Sequence, residues 1–408
     1  MSRRRRWQNV KGTANRVTEP GERLLASMAS VGARMVAPFL SRPNSEKPVE
    51  ILVLRLDRIG DVLMSLPALV ALREGLPRAR IRLAVGEWSR EIARDAPVDE
   101  VLVWSAPWVG RAEEGASSVQ EILNAARSRR TTRPDLAIDL QGDLRAVWLM
   151  AATGARFRVG YANTGSGSLL TAKVDLDEDV SFVEQNYRAI ETALGREVPR
   201  PPFRWLNEER RERGRDRLAR LLAGAGLERK GPIVGIHPGA GRSIKEWPTE
   251  RFIELGQRLV KEEQATLLIT GSAGEALRTG AIQSRLSAAA VDLAGKLDLG
   301  AFAEVMSACD AFVSCDTSAM HFACALGVPS VSIFGPSDPG RYFSGGERGF
   351  GAGRKHIALA RPLWCRPCNL IRRPPAECAS ASVPECLDQI STQTVFEATV
   401  NALAPQTG

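Results

Sequence analysis

The sequence predicts an α/β protein of two domains, each built from βαβ units around a parallel sheet. Three observations carry that expectation. The chain has 408 residues, beyond the size at which a single core usually stops growing. Short apolar runs alternate with stretches of helical period, the pattern of parallel strands joined by crossover helices. Pro199, Pro201 and Pro202 interrupt the chain near its midpoint, where a linker is expected. The composition, 44% hydrophobic and 25% charged, is that of an ordinary globular protein.

Residues 1–48 form a polar, basic extension. From Leu24 the apolar residues Leu24, Met28, Val31, Met35 and Phe39 recur every three or four positions, flanked by Arg23 and Arg34, until Pro38 and Pro43 stop the pattern. An amphipathic helix with cationic edges is expected at 24–39, suited either to an anionic membrane surface or to packing on the body. The net charge is +8, and residues 1–50 hold ten Lys and Arg against four Asp and Glu, leaving the rest nearly neutral. A nucleic-acid-binding body should carry a basic face of its own, so nucleic acid is not an expected partner. No uninterrupted apolar segment follows Arg3 to Arg6, which argues against export. No run of 18 apolar residues is present to span a membrane. Both point to a cytoplasmic protein.

The first domain, 49–200, opens with EILVLRL at 50–56, a strand. The turn Asp57-Arg58-Ile59-Gly60-Asp61 follows it. Val62, Leu63, Leu66, Leu69, Val70 and Leu72 mark the next helix, with Pro67 placed near its first turn. Further strands are expected at 81–85, 101–104 and 136–140, and a helix with loose loops at 112–133. Gln141, Gly142 and Asp143 then stand where a crevice turn belongs. Gly160, Tyr161 and the Gly/Ser-rich 163–168 either line the same crevice or form a loop. Residues 181–194 read as a helix ended by Gly195.

A linker and charged helix occupy 201–230, the helix at 208–227 mostly solvent-facing. The second domain, 231–408, opens with a strand at 232–236. A helix at 250–260, a strand at 266–269 and an amphipathic helix at 299–308 lead to a strand at 311–315. Asp316, Thr317 and Ser318 follow, each a residue type whose side-chain oxygen can cap a helix. Met320, Phe322, Ala323 and Leu326 continue at helical spacing, with His321 one turn in, until Gly327 and Pro329. A second apolar run at 330–334 follows. Past Arg341 the chain reads as irregular and cysteine-rich, with a closing helix at 394–403.

Two turns of this domain suit an anion. His237 to Lys245 contains Gly239, Ala240, Gly241, Arg242 and Ser243; its glycines let backbone N–H groups approach a phosphate, and Arg242 and Lys245 add positive charge. GxxxxGK[ST] is absent, and Ile244 stands where a dinucleotide fingerprint needs its third glycine. The other turn, at Asp316, precedes a helix whose first N–H groups favour a phosphate. Together they suit a nucleoside diphosphate held between two βα loops. In the first domain Asp61 is either a general base or a plain helix cap, with Asp57 as the alternative base.

LRLDRIGDVLMSLPAL (54–69), IHPGAGRSIKEWP (236–248) and CDTSAMHFACALGVPSVSIFGPSDP (315–339) occur in that order. Together they resemble glycosyltransferase family 9, the ADP-heptose:lipopolysaccharide heptosyltransferases, over roughly 50–400. The resemblance implies a GT-B architecture: two Rossmann-like, doubly wound domains facing an inter-domain cleft, with no catalytic metal or other cofactor. It implies inverting transfer by direct displacement, from an ADP-sugar donor in the second domain to a lipid-anchored saccharide acceptor in the first, at the inner face of the membrane. By position, Asp61 beside Gly60 resembles the general base. Lys245 resembles the lysine that neutralises the leaving diphosphate, helped by the turn from Gly239 to Ser243. Asp316, Thr317, Ser318 and His321 match the motif that holds the donor, and Glu275 is a further candidate for nucleotide contact. Ser318 stands where many members have glycine, so it narrows the donor pocket or adds a hydroxyl contact. Other readings are a non-catalytic nucleotide-sugar-binding protein on the same fold and a nicotinamide-dependent oxidoreductase, the latter disfavoured by the missing GxGxxG.

Cys365, Cys368, Cys378 and Cys386 give C-x2-C-x9-C-x7-C. Four thiolates with one CxxC can close a structural zinc site, but the loose second pair favours a non-catalytic local role. Cys309, Cys315 and Cys324 lie in apolar contexts and read as core.

Overall fold

The computed structural model describes residues 49–104, 133–162, 167–177, 179–200, 203–286, 289–346, 350, 355–370 and 374–404. The extension at 1–48 with its expected helix at 24–39, most of the segment expected at 112–133, and positions 163–166 lie outside the described residues. The described residues fall into two compact units, 49–200 and 203–404.

The first unit is a sheet of six parallel strands: β1 (Glu50–Arg55), β2 (Arg80–Val85), β3 (Glu100–Val103), β4 (Leu136–Asp139), β5 (Phe157–Tyr161) and β6 (Ala172–Val174). Their order is β3-β2-β1-β4-β5-β6, every pair parallel. Leu54 pairs with Ala84 on one side and Asp139 on the other, so the turns after β1 and β4 leave the sheet side by side. Helix α1 (Ile59–Gly75) is buried over most of its length. Pro67 lies two turns inside it, not near its first turn as expected. Burial of Val62, Leu63, Leu66 and Leu69 offsets the one backbone bond that the proline removes. Helix α2 (Leu144–Ala152) starts on Asp143, whose carboxylate accepts from the Arg145 N–H. Helix α3 (Phe182–Leu194) is capped by the Ser181 hydroxyl and ends on Gly195 at φ 66°, a left-handed conformation that favours glycine.

The second unit repeats the plan. Its strands are β7 (Ile233–His237), β8 (Thr266–Ile269), β9 (Ala290–Asp292), β10 (Ala311–Cys315), β11 (Ser330–Ile333) and β12 (His356–Leu359), in the order β12-β11-β10-β7-β8-β9. All pairs are parallel. Read from the first strand of each sheet, the two orders are the same doubly wound topology. The segment past Arg341, expected to be irregular, supplies the edge strand β12. Four half-buried residues on an edge carry too weak a periodicity to be read from sequence. Valines and isoleucines from β7, β8, β10 and β11 form the core with Trp247 and Phe252.

The charged helix α4 (Glu208–Gly224) is mostly exposed, as expected. It buries Gly214, Leu218 and Leu222 and lies against the helix Leu299–Ser307, where Arg210, Arg213 and Arg217 converge on Glu304 at 3.2, 3.3 and 3.6 Å.

Candidate active site

In a doubly wound sheet, ligands gather where the strand order reverses, beyond the carboxyl ends of the two central strands. In the first unit those strands are β1 and β4. The turn after β1 carries Asp57, Gly60 and Asp61; the turn after β4 carries Gln141, Gly142 and Asp143. Arg55, 2% exposed, ties the two turns together. Its Nε donates to the Asp61 carbonyl at 3.0 Å and lies 3.2 Å from the Asp57 carboxylate, while Nη1 donates to the Leu140 carbonyl. Asp61 is about one-third exposed. One of its oxygens accepts from the Arg58 N–H at 3.2 Å, capping α1, and the other lies 3.7 Å from Arg55 Nη2. Asp61 is therefore both a cap and an accessible carboxylate.

Asp139 was not singled out from sequence, where a lone acid ending an apolar run gives no signal. It is fully buried and accepts from the N–H groups of Gln141 and Gly142 at 2.9 and 3.2 Å. Burial pushes its carboxyl up to about 7. Burial also raises Asp57 well above the usual carboxylate range. Tyr161 packs beside this cluster: a side chain on Gly142 would meet its ring at 3.2 Å. Gly142 has φ +72°, so the turn needs glycine for conformation as well as space.

In the second unit the reversal lies between β7 and β10. Lys245, ending the 3-10 turn Ser243–Lys245, places Nζ 2.7 Å from the Asp316 carboxylate. Both side chains are mostly buried, at 17% and 4% exposure. The turn at 237–245 and the turn at Asp316 are thus joined by one ion pair. Arg242 and Gly241 are exposed beside it. Glu275 comes to the same place: a Cβ on Gly239 would sit 1.6 Å from its Oε1, while its Oε2 accepts from the Ser272 N–H and hydroxyl, both at 2.7 Å. A side chain on Gly239 would meet that carboxylate. The Ala240 N–H donates to Glu246 at 3.4 Å, and Glu246 holds Arg278 at 2.5 Å, a cation that sequence reasoning passed over. His237, whose Nδ1 lies 3.1 Å from the Thr270 hydroxyl, is lowered by burial below the usual histidine range.

Thr317 occupies the N-cap of helix Ser318–Leu326 but its hydroxyl makes no capping bond. The expected side-chain cap is not made there, which leaves first-turn N–H groups to an anion. Thr317 and Ser318 are half-buried. His321 is 6% exposed and its Nδ1 lies 3.0 Å from the Ser344 hydroxyl, so it braces the helix from within. Cys309, Cys315 and Cys324 are buried, with their thiols pushed up to about 12 by burial. Cys365, Cys368, Cys378 and Cys386 are half-buried. Burial and the nearby thiols raise Cys386 to about 11, and among the described residues no group of three His, Cys, Asp or Glu is arranged to hold a metal ion.

The family model for glycosyltransferase family 9 (heptosyltransferase) matches residues 122–371. Lipopolysaccharide heptosyltransferase 1 of Pseudomonas aeruginosa is 28% identical over 344 residues, spanning 78% of this chain and 86% of that protein. Lipopolysaccharide heptosyltransferase 2 of Salmonella typhimurium is 26% identical over 303 residues, spanning 71% and 84%. The solved structure of E. coli ADP-heptose lipopolysaccharide heptosyltransferase II superposes with a TM-score of 0.65 at 23% identity, over 87% of this chain and 98% of that one. That likeness identifies the fold as GT-B, two Rossmann-like sheets in one chain.

Proposed function

The chain belongs to glycosyltransferase family 9 and is a glycosyltransferase, and on that premise we propose that it moves a heptose from ADP-heptose to a saccharide acceptor of the lipopolysaccharide-core type, with inversion. The observation that carries this reading is the division of charge between the two strand reversals. The first presents a partly exposed carboxylate, Asp61. The second presents Lys245 with a glycine-containing turn and an uncapped helix start.

In this reading the first unit holds the acceptor and the second the donor. The acceptor hydroxyl oxygen bonds to the anomeric carbon as the bond to the diphosphate oxygen breaks, and Asp61 takes the hydroxyl proton. Lys245 and the N–H groups after Thr317 offset the charge gathering on the departing diphosphate. Gly239, Ala240, Gly241, Arg242 and Ser243 supply the phosphate turn, and Glu275, Asp316 and Ser318 border the nucleoside and sugar. The diphosphate must then share Lys245 with Asp316. The basic extension at 1–48 would bring the enzyme to an anionic membrane surface, where a lipid-anchored acceptor resides.

The test is calorimetric titration with ADP-heptose, ADP-glucose and UDP-glucose, followed by transfer assays. Asp61→Asn should bind ADP-heptose as wild type does and lose at least about a hundredfold in transfer rate. Lys245→Ala should weaken donor binding and slow transfer together. That variant leaves a buried carboxylate without its cation, a change costing about 3–5 kcal/mol, so Lys245→Arg is measured beside it to separate charge from folding. Undiminished turnover in Asp61→Asn removes the base; preference for the uridine sugar removes the donor assignment.

A further inference from the structure

We propose that the exposed face of the Trp88 indole is a stacking platform for a sugar ring of the acceptor. The inference rests on Asp61 being the base and adds the surface that would hold the acceptor beside it. Trp88 lies in the short turn Glu87–Ser89 that follows β2, and β2 pairs with β1 along its whole length. Its ring is fixed on two sides. The indole Nε1–H donates to the carbonyl of Asp57 at 2.6 Å, within the turn that carries Asp61. The ring lies against Gly86, where an added Cβ would fall 2.4 Å from it. Gly86 has an ordinary backbone conformation, φ −71°, so the glycine serves the indole rather than the chain's path.

The polar end of the ring is thus occupied, and the residue as a whole remains 36% exposed. Leu144, the first residue of α2, and Trp148, one turn further on, are 41% and 37% exposed, and α2 follows β4, on the other side of β1. The strands on either side of β1 thus each lead into an element that carries an exposed large apolar side chain. A sugar presents an apolar C–H face and a rim of hydroxyls. An aromatic ring held rigid beside a carboxylate suits both: the C–H face stacks on the indole and a rim hydroxyl turns toward Asp61. Prior fixing of the ring spares the entropy of ordering it on binding.

The probe is lipopolysaccharide-core oligosaccharide from a heptose-deficient strain, freed of acyl chains. Trp88→Ala should raise its KM roughly tenfold while leaving the KM for ADP-heptose within about twofold, and Trp88→Phe should fall between. With donor absent, the oligosaccharide should quench intrinsic fluorescence in wild type and Asp61→Asn, and not in Trp88→Phe. Trp364→Ala, an exposed tryptophan of the other unit, should match wild type in every assay. Unchanged acceptor KM in Trp88→Ala, donor and acceptor KM rising together, or quenching that survives in Trp88→Phe would overturn the platform. Trp88-dependent quenching without any transfer by wild type would support the platform and remove the catalytic reading instead.

Discussion

Arg55 is one buried guanidinium facing three carboxyls, those of Asp57, Asp61 and Asp139. Its position at the end of β1 follows from the strand; its partners do not, because two of them arrive from the next turn and one from a strand about 80 residues away. Asp139 makes a measurable signature of that cluster. Its folded value of about 7 lies above the ordinary carboxylate value of about 3.9, so between those values the folded chain holds a proton that the unfolded chain has released. Stability from this group is accordingly complete at low pH, falls as pH rises from about 4 to about 7, and is flat above. Asp139→Asn should remove that slope, up to about 1.4 kcal/mol per pH unit. Denaturant unfolding of both proteins at a series of pH values checks it. A slope equal in the two would mean that Asp139 titrates as it does in the unfolded chain.

At the scale of elements, the periodic apolar segments were readable. The helices at 181–194 and 299–308 came from apolar spacing, the first closed by Gly195, and the strands at 266–269 and 311–315 from short apolar runs, because buried faces and buried strands leave such local patterns. The contacts between elements were not. Helix α4 reads as charged and mostly solvent-facing, yet Gly214 lets it lie so close to the helix Leu299–Ser307 that a Cβ there would fall 2.0 Å from the Glu304 carbonyl oxygen. Two effects compete in Gly214→Ala. Alanine is the better helix former by about 1 kcal/mol, but forcing two packed helices apart costs about 1–3 kcal/mol. The clash is with backbone, which cannot swing aside, so net destabilisation is expected. A lower denaturant midpoint at unchanged m-value would record it, and a raised midpoint would show that the helices separate freely.

For the whole molecule, the basic extension at 1–48 carries most of the net charge. Removing residues 1–45 should lower binding to vesicles containing anionic lipid, and more so at low ionic strength, while leaving ADP-heptose affinity intact. Equal partitioning of full-length and shortened chains would sink the membrane role. By itself the sequence determined two α/β halves, the turns at Asp61, at 237–245 and at Asp316, and the family, because strand runs, glycines and caps are local signals carried by neighbouring residues. Only the tertiary structure decided that Lys245 meets Asp316, that Glu275 fills the place of a side chain on Gly239, that Asp139 lies buried beside Arg55, and that Gly86 makes room for Trp88. The first three join residues on or after different strands, which a parallel sheet brings together only after its crossovers have closed, while Gly86 and Trp88 stand two positions apart in one turn whose path the sequence leaves open.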